Sequence, residues 1–127
     1  MYQEGVKDNK HHSNERLRKE ILSSINSKYN VYEGPIVTCQ GMLAETQEDI
    51  DIWESKGYLG VEMETSTLFA VSNYFNVPSV SILSVGDNLV KNVLIGNREY
   101  ERGREFRNEI KEYKYKLVFE NIFNSPS

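Results

Sequence analysis

Residues 79–85, SVSILSV, limit what this chain can fold into more than any other stretch. The run is dense in apolar and β-branched residues and lacks the strict alternation of a strand with one wet face. It predicts a strand covered on both sides, as in an α/β sheet. Immediately before it, residues 65–75 carry Leu68, Val71 and Phe75 at helical spacing, flanked by Ala70 and Tyr74, and Asn76 and Pro78 follow as stop signals. A core-facing helix, a turn and a buried strand make a tight helix-to-strand unit.

The rest of the chain alternates in the same way. Residues 1–12 are polar and aperiodic, a loop or frayed start. Ser13 is the expected N-cap of an amphipathic helix with Leu17, Ile21, Leu22 and Ile25 on one face, running to a turn at Asn30. Residues 31–39 read as a strand with Pro35 near its start, where a missing N–H is tolerable, and 41–45 as its exit loop. Thr46 caps the next helix, which has Glu48, Asp49 and Asp51 in its first turns, Ile50 and Trp53 on its buried side, and Gly57 at C′. A long last helix places Phe106, Ile110, Tyr113 and Leu117 on one face, with Arg104, Arg107, Lys111, Lys114 and Lys116 between them. Alternating helices and strands give an α/β class. At 127 residues there is room for about one domain, and 39% hydrophobic residues suffice for a core.

A net charge of −4, with basic residues spread rather than massed into a stripe, argues against nucleic acid as a primary partner. No apolar run approaches the roughly 18 residues of a membrane span, so no membrane partner is expected. Cys39 is the single cysteine, so it forms no internal disulfide. Together these predict a soluble protein of the reducing cytoplasm. Cys39 and Trp53 read as packing residues. His11 and His12 belong to the terminus, without a third ligand that would make a metal site.

Chemistry concentrates in residues 60–64, GVEME, and 84–88, SVGDN. Glu62 and Glu64 share a side if the backbone there is extended, and a following helix N-terminus tolerates both charges. They are equally readable as solvated or helix-start acids. Asp87 lies just past the C-terminal end of the buried strand, where α/β sheets place ligands, and a turn-forming role fits it as well.

Residues 57–88, GYLGVEMETSTLFAVSNYFNVPSVSILSVGDN, resemble the signature half of the nucleoside phosphorylase family, which includes purine nucleoside phosphorylases, uridine phosphorylases and adenosylhomocysteine nucleosidases. The resemblance rests on V-E-M-E, the helix, the V-P turn, the apolar strand and an aspartate 23 positions after Glu64. It extends upstream to residues 36–38 and downstream into the last helix. It implies a three-layer α/β/α fold of which this chain is the C-terminal half, and phosphorolysis of a purine nucleoside to free base and ribose 1-phosphate.

The resemblance also implies roles. Glu64 accepts hydrogen bonds from the ribose hydroxyls, a task suited to an acceptor-only carboxylate. Met63 packs on the sugar and Glu62 assists at the 2′-hydroxyl. Asp87 is the general acid that protonates the purine at N7, which requires partial burial to raise its pKa. Arg102, four residues before Phe106, supports that aspartate, with Arg98 as a competing choice. Met42 falls where the family has an aromatic wall of the base pocket, and offers a polarizable surface in its place.

No metal or organic cofactor is implied, only phosphate as co-substrate. The family's Gly-rich phosphate loop has no counterpart before Tyr2, so the phosphate subsite is missing from this half. That leaves three options: a phosphorylase, a nucleosidase using water to hydrolyse the N-glycosidic bond, and a catalytically silent binding or assembly module. A uridine enzyme is disfavoured because a pyrimidine has no N7 for Asp87 to protonate. The expected partners are a purine nucleoside or base, and either further copies of the chain or a complementing N-terminal chain that covers bare strand edges.

Overall fold

The computed structural model describes residues 10–41, 45–86, 88 and 98–124. These form a mixed arrangement of helices with a two-stranded parallel sheet.

Helix α1 spans Glu15–Ser24. Its cap is Asn14 rather than the expected Ser13: the Asn14 side chain accepts the Leu17 N–H at 2.9 Å. Ser13 instead accepts a hydrogen bond from Arg18 Nη1 at 2.7 Å. The helix stops before Asn30, because Ile25 is already extended (φ −74°, ψ 132°). Past that point the chain is tied to helix α5, Arg104–Asn124. Tyr113 Oη accepts the Asn26 N–H at 2.7 Å, and the Tyr29 and Tyr113 rings stack at 4.4 Å. Glu109 forms an ion pair with Lys28 and accepts the Tyr29 hydroxyl at 3.0 Å.

Strand β1, Val37–Thr38, pairs in parallel with β2, Val61–Glu62, with Val37 opposite Val61 and Thr38 opposite Glu62. The expected strand over residues 31–39 is thus much shorter, and Val31 and Tyr32 are exposed. The ladder can be no longer than its partner, and β2 leaves the extended region by Glu64 (φ −128°, ψ −25°). Single bonds prolong the pairing: Leu59 N donates to Pro35 O at 2.9 Å, and Cys39 N to Glu62 O at 2.8 Å. A Cβ at Gly34 would lie 2.6 Å from Leu59 Cδ1, the end of an exposed side chain that can move aside.

Helix α2, Gln47–Ser55, crosses between the strands. Thr46 caps it as expected and forms a reciprocal capping box with Asp49. These bonds from the Thr46 hydroxyl and N–H hold the Asp49 carboxyl below its ordinary range. Gly57 ends the helix at φ 76°; its N–H bonds Glu54 O at 2.9 Å and the Tyr58 N–H bonds Trp53 O at 3.1 Å. This is a Schellman closure. Ile50 and Trp53 are half-buried.

Helix α3, Thr65–Tyr74, ends in the same closure, with Asn76 at φ 55° in the left-handed region and Val77 N donating to Ser72 O at 2.8 Å. Its buried face, however, is Thr65, Phe69 and Ser72, whereas Leu68, Val71 and Phe75 are exposed. The buried face is therefore turned about 90° around the helix axis from the expected stripe. The turn before the helix sets its rotation and aims Thr65 at residues 79–86, where the Thr65 and Ser81 hydroxyls meet at 3.1 Å.

Residues 79–85 form no ladder among the described residues, and Leu83 and Val85 are exposed, contrary to a strand covered on both faces. Their start is held by Asn14 N donating to Ser79 O at 2.7 Å. The apolar run reads as interior because interior strands have that composition; the described residues do not supply the elements that would cover it.

A short helix, α4 (Arg98–Arg102), precedes α5, so Arg102 ends α4 rather than sitting on the last helix. On α5, Leu117 is 4% exposed and Ile110 and Tyr113 are half-buried, but Phe106 lies open. Ile21, Phe69 and Leu117 form the apolar core among the described residues.

Candidate functional site

The turn from β2 into α3 carries the clearest polar arrangement. Glu62, the last residue of β2, folds its carboxylate back over the first turn of α3. Its Oε2 accepts the N–H of Glu64 at 2.7 Å and of Thr65 at 2.6 Å. Its Oε1 accepts the Thr38 hydroxyl, and Thr38 Oγ1 in turn accepts the Ser66 N–H at 3.0 Å. Partial burial alone would raise the Glu62 carboxyl. The hydrogen bonds from the Thr38 hydroxyl and from the N–H groups of Glu64 and Thr65 outweigh it and hold the group below its ordinary value of 4.5.

Glu62 therefore takes over the capping of α3. Glu64 occupies the N-cap position, yet its side chain makes no cap hydrogen bond and is exposed. Met63 beside it is exposed as well. The helix N-terminus favours negative charge at both glutamates. The two carboxylates do not sit as an extended backbone would place them, because the chain turns at Glu64: one faces the helix amides and the other faces solvent.

A second feature is a cleft of about 450 Å³ between residues 84–86 and the start of α5, lined on the helix side by Glu101, Arg104, Arg107, Asn108, Ile110 and Lys111. Arg104 pairs with Glu101, and Lys114 Nζ donates to Ser84 Oγ at 3.2 Å across one edge. Three cations against one carboxylate give the wall a positive balance.

Met63 and Glu64 are both exposed in the turn whose amides Glu62 caps. Met42 and Asp87 lie outside the described residues, although Gly86, next to Asp87, lines the cleft. Arg102 and Arg98 sit at opposite ends of α4, both exposed, and neither lines the cleft. Arg104 and Arg107, read from the sequence only as polar positions, do line it; their three-residue spacing on one helix face was the available signal. Thr38 was not singled out either. Among the described residues no three His, Cys, Asp or Glu side chains gather to hold a metal, and no helix is long and apolar enough to cross a membrane.

The profile of the Phosphorylase superfamily matches residues 6–118, which takes in the β1–α2–β2–α3 unit and most of α5. The chain belongs to the phosphorylase superfamily. Purine nucleoside phosphorylases of DeoD type from Thermoanaerobacter sp. (strain X514) and Thermoanaerobacter pseudethanolicus are each 32% identical to it over 78 residues, 61% of this chain and 33% of theirs. A guanosine phosphorylase from Halorubrum lacusprofundi is 33% identical over 60 residues, 47% of this chain and 25% of its own. The matched stretch thus spans about a third or less of these relatives' length. No solved structure matches the chain significantly.

Proposed function

We propose that this chain carries the sugar and base subsites of a purine nucleoside phosphorylase and takes part in phosphorolysis of purine nucleosides to free base and ribose 1-phosphate. The observation that carries the reading is the exposed Met63–Glu64 pair, held out from a turn whose amides are capped by another residue. Glu64 accepts the ribose hydroxyls and Met63 covers the sugar face. The C1′–N9 bond breaks with its electron pair passing to the base, Asp87 delivers a proton to N7, and a phosphate oxygen bonds to C1′. Arg102 supports Asp87 and Met42 lies against the base. No cofactor takes part beyond phosphate as co-substrate, and the cytoplasm, where nucleosides and phosphate meet, is the expected compartment.

The three-layer α/β/α sandwich belongs to the complete subunit, and completion from outside the described residues fits the surface. Among the described residues Leu68, Val71, Phe75, Leu83 and Val85 leave apolar surface exposed. Further copies or a complementing N-terminal chain would cover it. Sedimentation at micromolar concentration should give an oligomer; a compact monomer would overturn this part of the proposal.

The deciding assay is base release from a panel of nucleosides with and without phosphate. Release that requires phosphate and is restricted to purines supports the reading. Equal release in water alone would make the chain a nucleosidase, and binding without release a silent module.

A further inference from the structure

Glu62 spends its carboxylate inside the protein. Three protein donors already occupy it: the Thr38 hydroxyl on Oε1 and two N–H groups on Oε2. A carboxylate has about four acceptor sites. Thr38 is equally engaged, donating to Glu62 and accepting from Ser66. The chain of bonds runs from β1, through the last residue of β2, to three successive amides at residues 64–66. It spans 28 positions of sequence between Thr38 and Ser66. One of the amides it holds belongs to Glu64 itself.

We propose that Thr38 and Glu62 are positioning residues, a clamp between β1 and the start of α3 that fixes the backbone of Met63 and Glu64 for sugar binding, with Glu62 making no sugar contact of its own. This rests on the reading of Glu64 as the ribose ligand. With the clamp on amides 64–66, the Glu64 side chain makes no cap hydrogen bond of its own and stays exposed. With Thr38 opposite Glu62 in the parallel pairing, its hydroxyl reaches both Glu62 Oε1 and the Ser66 amide.

The test uses the full chain, with Thr38→Val and Thr38→Ser, inosine as nucleoside and hypoxanthine as free-base control. Amide exchange at residues 64–66 reads the clamp, and calorimetry reads binding. Thr38→Val should speed exchange at these amides and weaken inosine roughly tenfold, the loss of about one well-made hydrogen bond's worth of alignment, while hypoxanthine affinity stays the same. Thr38→Ser, which keeps the hydroxyl, should restore both. Faster exchange with unchanged inosine binding would reduce the clamp to a structural cap and overturn the proposal, leaving the ribose role of Glu64 standing. Equal loss for inosine and hypoxanthine would overturn it too, because general loosening is not sugar positioning. If the unaltered chain binds hypoxanthine but not inosine, the sugar-site reading fails and the positioning role with it.

Discussion

Phe69 and Leu68 are neighbours on α3, and the structure assigns them opposite fates. Phe69 is 9% exposed and Leu68 47%. Replacing Phe69 by alanine removes a buried ring and leaves a hole, a change that costs about 3–5 kcal/mol in well-packed cores. With so few buried neighbours the site can partly collapse, so the lower end, about 3 kcal/mol, is expected. Leu68→Ala removes a side chain that is half in water already and leaves no cavity. Roughly half of a full leucine burial gives about 1 kcal/mol. Urea unfolding followed by far-ultraviolet circular dichroism, repeated over a range of protein concentrations, should show this threefold contrast at the lowest concentration. If the Leu68, Val71 and Phe75 face is where further copies dock, the Leu68→Ala loss grows with concentration, since association stabilises the folded state by mass action. A Leu68→Ala cost equal to or above that of Phe69→Ala at every concentration would refute the burial of Phe69 and restore the helix face suggested by apolar spacing.

Glu64→Gln should weaken nucleoside binding strongly and leave free-base binding nearly unchanged in calorimetry, because its charge-assisted bonds go to the sugar; parallel losses would remove it from the sugar subsite. Asp87→Asn should slow phosphorolysis of purine nucleosides with poor leaving groups far more than of those whose base departs without protonation, and uniform slowing in a kinetic comparison would contradict an acid role. Glu62 is held below its ordinary 4.5, so its folded form binds its proton less readily than the unfolded chain does. Its contribution is fully present above the unfolded value and is lost as pH falls through the folded one. The stability gap between the unaltered protein and Glu62→Gln should therefore narrow on acidification below about pH 4.5; a gap that widens there would contradict the capping role.

Element ends were the most readable part of the chain. Thr46, Gly57 and Asn76 each act through bonds to groups within about five residues, so their meaning does not depend on where the rest of the chain goes. Even there a competing neighbour shifted one boundary, with Asn14 capping α1 in place of Ser13. The α/β class and the phosphorylase motif in residues 57–88 were equally available from sequence, since both are patterns along the chain, and the superfamily match agrees with them.

What lay beyond the sequence is whatever depends on a distant partner. Residue order does not reveal that Thr38 stands opposite Glu62, because strand register is chosen by the whole pairing and a slip of one residue would turn every side chain over. Nor does it reveal which side of α3 is buried. Apolar spacing favoured Leu68, Val71 and Phe75, but the Glu62 cap and the Thr65–Ser81 contact rotate the helix so that Phe69 faces inward. The sequence by itself determined the family, the class and the local stops and starts, all of which are short-range or linear. The tertiary structure alone decided that the Glu62 cap is tied to β1, because that tie needs the Thr38 hydroxyl brought from 24 residues upstream.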